Sequence, residues 1–270
     1  MQASILGQRY FGVPQLALPG RRASDRLGTS GVRNIMSVTS MMNGGPYSSF
    51  GTPLAPGDSA PAPDAMVRVL IVDTPGPALD RLLGVVRGYA GFQLLPPVVY
   101  GLEYEAELVE EVKHQSPDIL VMDTGLGDAS VAALIRACRA ASPQTEILLR
   151  THVGNDERVL ACIEAGASGY FFKDAAAEWI VACVLALRGG GALISPGIAR
   201  RVLSRFPLGE IGEDKAADGP KLTEQQVDVL RLVACGTGLH EISDVLALPT
   251  QQVLVQIKSV YRVLASAHSA

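Results

Sequence analysis

The residues best placed to do chemistry are carboxylates at the ends of short apolar runs. Asp118-Ile119-Leu120-Val121-Met122-Asp123-Thr124-Gly125 is the clearest: four apolar residues end on Asp123, and a glycine follows within two positions. A run this short, between polar and turn residues, reads as a strand buried on both faces, the kind found in parallel sheets. Open parallel sheets bind ligands in the crevice outside the carboxyl ends of their strands, so Asp123 is expected at a ligand-binding edge. Asp73 closes a similar run, 67–72. Nothing else in the chain suggests an independent enzyme: there is no catalytic triad, no metal-ligand cluster and no nucleotide-binding loop.

The elements that must position these carboxylates alternate regularly. Strands are expected at 67–72, 92–100, 119–123, 146–151 and 169–172, with helices at 78–89, 103–114, 129–140, 156–165 and 175–188. Pro96-Pro97 weakens the second strand and suggests an edge position. Five strands alternating with five helices define an α/β class, a doubly wound five-stranded parallel sheet over 66–190. Gly189-Gly190-Gly191 stops the last helix, and 191–220 reads as a linker with a short helix capped by Ser195. Residues 221–270 form a small all-α domain with helices at 223–234, 239–246 and 250–266, in which Thr223 and Thr250 are expected N-caps. Residues 1–65 are rich in Ser, Gly and Pro and are expected to be a disordered extension, with Met66 an alternative start.

Composition bounds the function classes. The 270 residues are 48% hydrophobic and 19% charged, with a formal charge of −4, so no global basic signature marks a nucleic-acid or anionic-membrane binder. No apolar run approaches the roughly 20 residues of a membrane span, and no secretory signal is evident, so a cytoplasmic protein is expected. Cys138, Cys162, Cys183 and Cys235 lie scattered in apolar segments and are expected to be buried free thiols. Asp73-Thr74-Pro75-Gly76 mimics a GTPase switch, but the chain has no Gly-Lys pair with which to build a phosphate loop.

Four segments carry a family likeness: Val69-Leu70-Ile71-Val72-Asp73, Pro117 through Asp123, Ala165-Gly166-Ala167-Ser168-Gly169-Tyr170-Phe171-Phe172-Lys173-Asp174, and Leu222-Thr223 with Val229-Leu230-Arg231-Leu232-Val233-Ala234. Residues 66–190 resemble the receiver domain of two-component response regulators, with its flavodoxin-like sheet. Residues 221–265 resemble the LuxR-type helix-turn-helix, and together the two resemble the NarL/FixJ type. The resemblance implies that Asp123 is the phosphoacceptor, attacking phosphorus as a nucleophile. It further implies that Thr151, Tyr170 and Lys173 are the switch residues. Asp73, Asp123 and the Gly125 carbonyl would hold Mg²⁺.

Two departures weaken that site. The family has two adjacent acids after its first strand, whereas Thr74 follows Asp73 here. The loop Thr124-Gly125-Leu126-Gly127-Asp128 replaces the usual Met-Pro-Gly turn. Mg²⁺ depends on near-octahedral oxygen ligation, so its binding is expected to be weak and phosphorylation poor or absent.

In the C-terminal module the resemblance places Thr250, Gln251, Gln252, Gln256, Lys258 and Arg262 at DNA. The family lysine is Leu254 here, placed equally well for a partner helix or a thymine methyl. Four basic residues from Lys221 onward face four acidic ones, so DNA affinity is expected to be low. Only five residues follow Ala265, where the family adds a dimerisation helix, so a monomeric module or a homodimer through the receiver is expected. The implied function is an atypical, orphan DNA-binding transcriptional regulator of promoter DNA. The same likeness suggests control of development or antibiotic biosynthesis, and response to a small-molecule ligand. The alternative is a degenerate helix-turn-helix that partners another regulator.

Overall fold

Strands β1 (Val67–Asp73), β4 (Ile119–Asp123), β5 (Glu146–Thr151) and β6 (Gly169–Phe172) are almost wholly buried. Their near-continuous apolar sequences fit a sheet covered on both faces. The computed structural model describes residues 66–99, 105–126, 131–206 and 221–267. The expected low-complexity extension 1–65, the loose part of the linker, 207–220, and Gly127 and Asp128 lie outside the described residues.

The sheet runs β2-β1-β4-β5-β6, with every pairing parallel. The second expected strand is divided into β2 (Phe92–Leu94) and β3 (Val98–Val99), both paired with β1. Pro96-Pro97 lies between them, and two residues without N–H donors cannot continue a ladder. The sheet therefore has six strand segments where five were expected, and β2 ends the sheet as the prolines suggest.

Helices α1 (Pro77–Gly88), α2 (Glu105–Gln115), α3 (Val131–Ala141), α4 (Asp156–Glu164) and α5 (Ala177–Arg188) cover the sheet. Each presents an apolar stripe; on α1 it is Leu79, Leu82, Leu83 and Val86. From β1 the chain turns outward to β2 and β3, then returns to the other side of β1 as β4. That reversal sets the carboxyl ends of β1 and β4 side by side, where such folds build their sites. Asp73 and Asp123 stand one step beyond the Val72–Met122 pair, and Asp123 is paired in register with Arg150. Three strands thus bring Asp73, Asp123 and Arg150 into one row.

Helix α6 (Pro196–Arg205) begins at Ser195, whose hydroxyl accepts from the Ile198 N–H at 3.3 Å, as its sequence predicts. Thr223 caps α7 (Glu224–Ala234) in a full capping box with Gln226. Helix α8 (Leu239–Leu246) follows, and α9 (Thr250–Ala267) closes the described chain. Thr250 is the first residue of α9 rather than its cap, and the Pro249 carbonyl accepts from the Gln252 and Val253 N–H groups. Helix α9 packs on α7 and α8 and also on α4 of the sheet domain. Buried on more than one side, it is held between the two.

Among the cysteines, Cys138, Cys162 and Cys183 are buried, and burial pushes the thiols of Cys138 and Cys162 up to about 11. Cys235 departs from expectation: it is exposed, because it lies at the C-cap of α7. No described helix is long and apolar enough to cross a membrane.

Candidate functional site: the acidic crevice and the face of helix α9

In the crevice each carboxylate already has a cation. Asp123 Oδ2 lies 2.5 Å from Lys173 Nζ, and its Oδ1 accepts from the Gly125 N–H at 2.8 Å. Asp73 Oδ1 accepts from the Thr74 N–H at 2.8 Å. Its Oδ2 is ion-paired with Arg150 Nη1, and neither of these two atoms has another partner among the described residues. Arg150 is only 3% exposed. Burial draws its pKa below the usual arginine range, so the guanidinium depends on Asp73 for compensation.

Thr151 is buried, and its hydroxyl accepts from Thr124 Oγ1 at 3.1 Å. Thr124 thereby fastens the loop after β4 to the end of β5, reinforced by its N–H bond to the Arg150 carbonyl. Tyr170 is turned inward, its hydroxyl accepting from the Ser195 N–H at 2.7 Å; burial, foremost, drives its pKa up. The crevice thus assembles Asp73, Asp123, Thr151 and Lys173, while Tyr170 engages the linker. Gly125 adjoins Asp123 through its N–H.

The second half of the site is the strap 189–195, which passes between Tyr170 and α9. Gln251 Nε2 donates to the Gly189 carbonyl at 2.7 Å, and the Ala192 N–H donates to the Leu254 carbonyl at 3.0 Å. The Tyr261 hydroxyl donates to the Leu193 carbonyl at 2.7 Å. Leu254 is fully buried against Gly191: a Cβ built there would stand 2.5 Å from Leu254 Cβ. The open choice at Leu254 resolves to packing within the chain.

Lys258, expected at DNA phosphates, is instead 3% exposed and donates to Glu146 Oε2 at 2.7 Å. The reason is electrostatic: Glu146 begins β5 beside α9 and is the carboxylate within reach. Ser168 bonds the same oxygen, and Arg139 stands 3.6 Å from it. Burial tends to raise the Glu146 pKa, but Lys258 above all outweighs it and holds the carboxyl below its ordinary range. Of the other expected DNA contacts, Gln252 and Arg262 are exposed, Thr250 and Gln251 are half-buried, and Gln256 donates to Gln225 Oε1 at 2.7 Å.

Gly191→Ala is expected to cost about 1–3 kcal/mol, because a methyl overpacks against Leu254. Urea unfolding checks this against Gly84→Ala, where the added Cβ meets nothing within 4 Å. A loss no larger than the control's would refute the close approach of strap and helix.

Sequence reasoning missed Arg150, Glu146 and Thr124. The signal for Arg150 was available: within Ile147-Leu148-Leu149-Arg150-Thr151, a strand buried on both faces, an arginine must find a carboxylate. Glu146 gave no such signal, since its partner lies 112 residues away.

Residues 92–185 match the family described as the response regulator receiver domain. The transcriptional regulatory protein LnrK of Bacillus subtilis is 26% identical over 164 residues, covering 59% of this chain and 74% of LnrK. The transcriptional regulatory protein LiaR of the same organism is 29% identical over 199 residues, covering 72% of this chain and 89% of LiaR. A solved structure of the RcsB response regulator of Salmonella typhimurium is 20% identical with a TM-score of 0.43, covering 74% of this chain and 92% of RcsB. The parallel sheet fits a receiver domain over the matched residues. Residues 92–185 belong to the receiver-domain family, and the chain as a whole is similar to response regulators of the NarL/FixJ type, in which a receiver domain is followed by a LuxR-type helix-turn-helix.

That family implies Mg²⁺ in the crevice, and the side chains here do not fit it. Two carboxylates are balanced by Arg150 and Lys173, and the residue after Asp73 is a neutral threonine. A dication would meet a charge-balanced, buried pocket and would have to displace a guanidinium whose buried Nη1 has no other partner among the described residues.

Proposed function

We propose that this protein is a DNA-binding transcriptional regulator whose receiver holds α9 in a closed arrangement. Its control does not run through metal-assisted phosphorylation of Asp123. The observation that carries this reading is the buried Arg150–Asp73 pair beside Thr74. Phosphoryl transfer rests on positioning and on cations that neutralise charge at the phosphoryl oxygens. Here the available cations are committed to the resting carboxylates.

The closed arrangement is supported by the placement of α9. Its Gln251, Leu254 and Lys258 face the strap and receiver, so this face becomes available to a major groove only when α9 leaves. Intrinsic DNA affinity is low in this reading, because basic and acidic residues balance across the module.

Intact-mass measurement after incubation with acetyl phosphate and Mg²⁺ tests the first part, and no adduct is expected. A stable phosphoryl adduct that disappears in Asp123→Asn overturns it. Gel-shift titration of selected genomic fragments against salt tests the second part. Failure to form any specific complex, even at low ionic strength, ends the DNA-binding reading.

A further inference from the structure

A cleft of about 760 Å³ lies between the receiver and the C-terminal half of α9. Arg136 and Arg139 of α3, Glu146, Glu164, and Lys258 and Arg262 of α9 are its charged walls. Its acids are already engaged. Glu146 is shared by Lys258 and Arg139, and Glu164 is paired with Arg205. Arg136 and Arg262 have no hydrogen-bond or ion-pair partner among the described residues.

Exposed arginines are usually just solvated. These two differ in sharing a concave site with two further cations and too few carboxylates to match them. Such a cleft focuses positive potential between low-dielectric walls. Arg139 and Arg262 lower the Lys258 pKa beyond the effect of burial, as an excess of positive charge must. Guanidinium forks suit carboxylate and phosphate oxygens, and the volume falls within the range of about 300–1,000 Å³ of small-ligand sites.

We propose that this cleft is an effector site for a small polyanion carrying two or more carboxylate or phosphate groups. Arg136 approaches from the receiver and Arg262 from the helix expected at DNA, so the anion spans both halves. It stabilises the closed arrangement and, by linkage, weakens DNA binding. At a hundredfold excess over its dissociation constant it would lower apparent DNA affinity by up to about a hundredfold. The regulatory half rests on the closed-state reading above, whereas the site itself is tested without DNA.

The full chain is titrated calorimetrically with citrate and with pyrophosphate, at ionic strength matched with potassium chloride. The two arms separate carboxylate from phosphate preference. Saturable binding of at least one is expected, weakened tenfold or more in Arg136→Gln/Arg262→Gln. Both side chains are exposed, so the variant should melt like the parent. No saturable binding, or binding equal in the variant, overturns the site. For regulation, the bound anion should weaken DNA binding by the parent but not by Arg136→Gln, which leaves α9 intact. An anion that binds without changing DNA affinity overturns the regulatory half. Anion binding in a protein that forms no specific DNA complex supports the site and sinks only the DNA reading.

Discussion

Arg150→Met is expected to destabilise the protein by about 3–5 kcal/mol, the usual cost of removing one partner of a buried ion pair. Asp73 is 2% exposed, and its Oδ2 has no partner apart from the guanidinium. The Thr74 N–H satisfies only Oδ1. Methionine fills the space of the arginine stem, so the loss reports chiefly the uncompensated charge and little cavity formation. Asp73→Leu/Arg150→Met should recover most of the loss, because replacing both charges by apolar groups removes the unpaired carboxylate. Urea unfolding of the parent, both single variants and the double variant gives the coupling energy directly. The single variant also tests the metal argument: with Asp73 released, millimolar Mg²⁺ should raise its melting temperature while leaving the parent unchanged. A single-variant loss below about 1 kcal/mol, or Mg²⁺ stabilisation of the parent, would show that Arg150 does not occupy the cation's role.

Arg150 also shows where sequence reading reaches its limit. The strands and the position of Asp123 follow from apolar run length and turn residues, which are local signals, and the parallel sheet follows from their alternation with helices. Pro96-Pro97 likewise marks the sheet edge through the chemistry of two residues. The caps at Ser195 and Thr223 are visible for the same reason. By contrast, the partner of Arg150 is set by register across three strands, and no local pattern encodes which carboxylate a buried arginine meets. The loss of the second acid at Thr74 was legible, but the guanidinium that neutralises Asp73 was not. Helix α9 is the sharper case. Its apolar positions identify a helix and a core face, yet Leu254 and Lys258 look available in a lone helix-turn-helix. Only the strap at Gly191 and the carboxylate of Glu146 reveal that a second surface covers them.

Glu146→Ala is expected to tighten DNA binding by roughly ten- to a hundredfold at low salt. Lys258 would remain in the interface without its acceptor, beside Arg139 and Arg262, and leaving a buried charge unpaired costs about 1–3 kcal/mol or more. The lower part of the range for buried ion pairs applies because the Glu146 side chain is 25% exposed. Each 1.4 kcal/mol lost from the closed state multiplies the DNA-competent fraction about tenfold, until the open state predominates. Lys258→Ala separates opening from a direct phosphate contact. It too releases α9, but it removes a cation from the helix, so its gain should be smaller and its salt slope shallower by about 0.9. Equal affinities for Glu146→Ala and the parent would refute the clamp. Acid should mimic the carboxylate's removal. The Glu146 pKa is depressed in the closed state, so its contribution is present above the ordinary carboxylate range and lost as pH falls through the depressed value. Lys258, whose pKa burial lowers in the closed state, acts in the same sense between that lowered value and the ordinary lysine range, where the closed state binds fewer protons. Closure is therefore favoured by rising pH, and neutral solution lies on the plateau of the Glu146 term. DNA affinity measured downward from neutral pH should change little at first and then rise as the clamp protonates. In Glu146→Ala that rise should be absent.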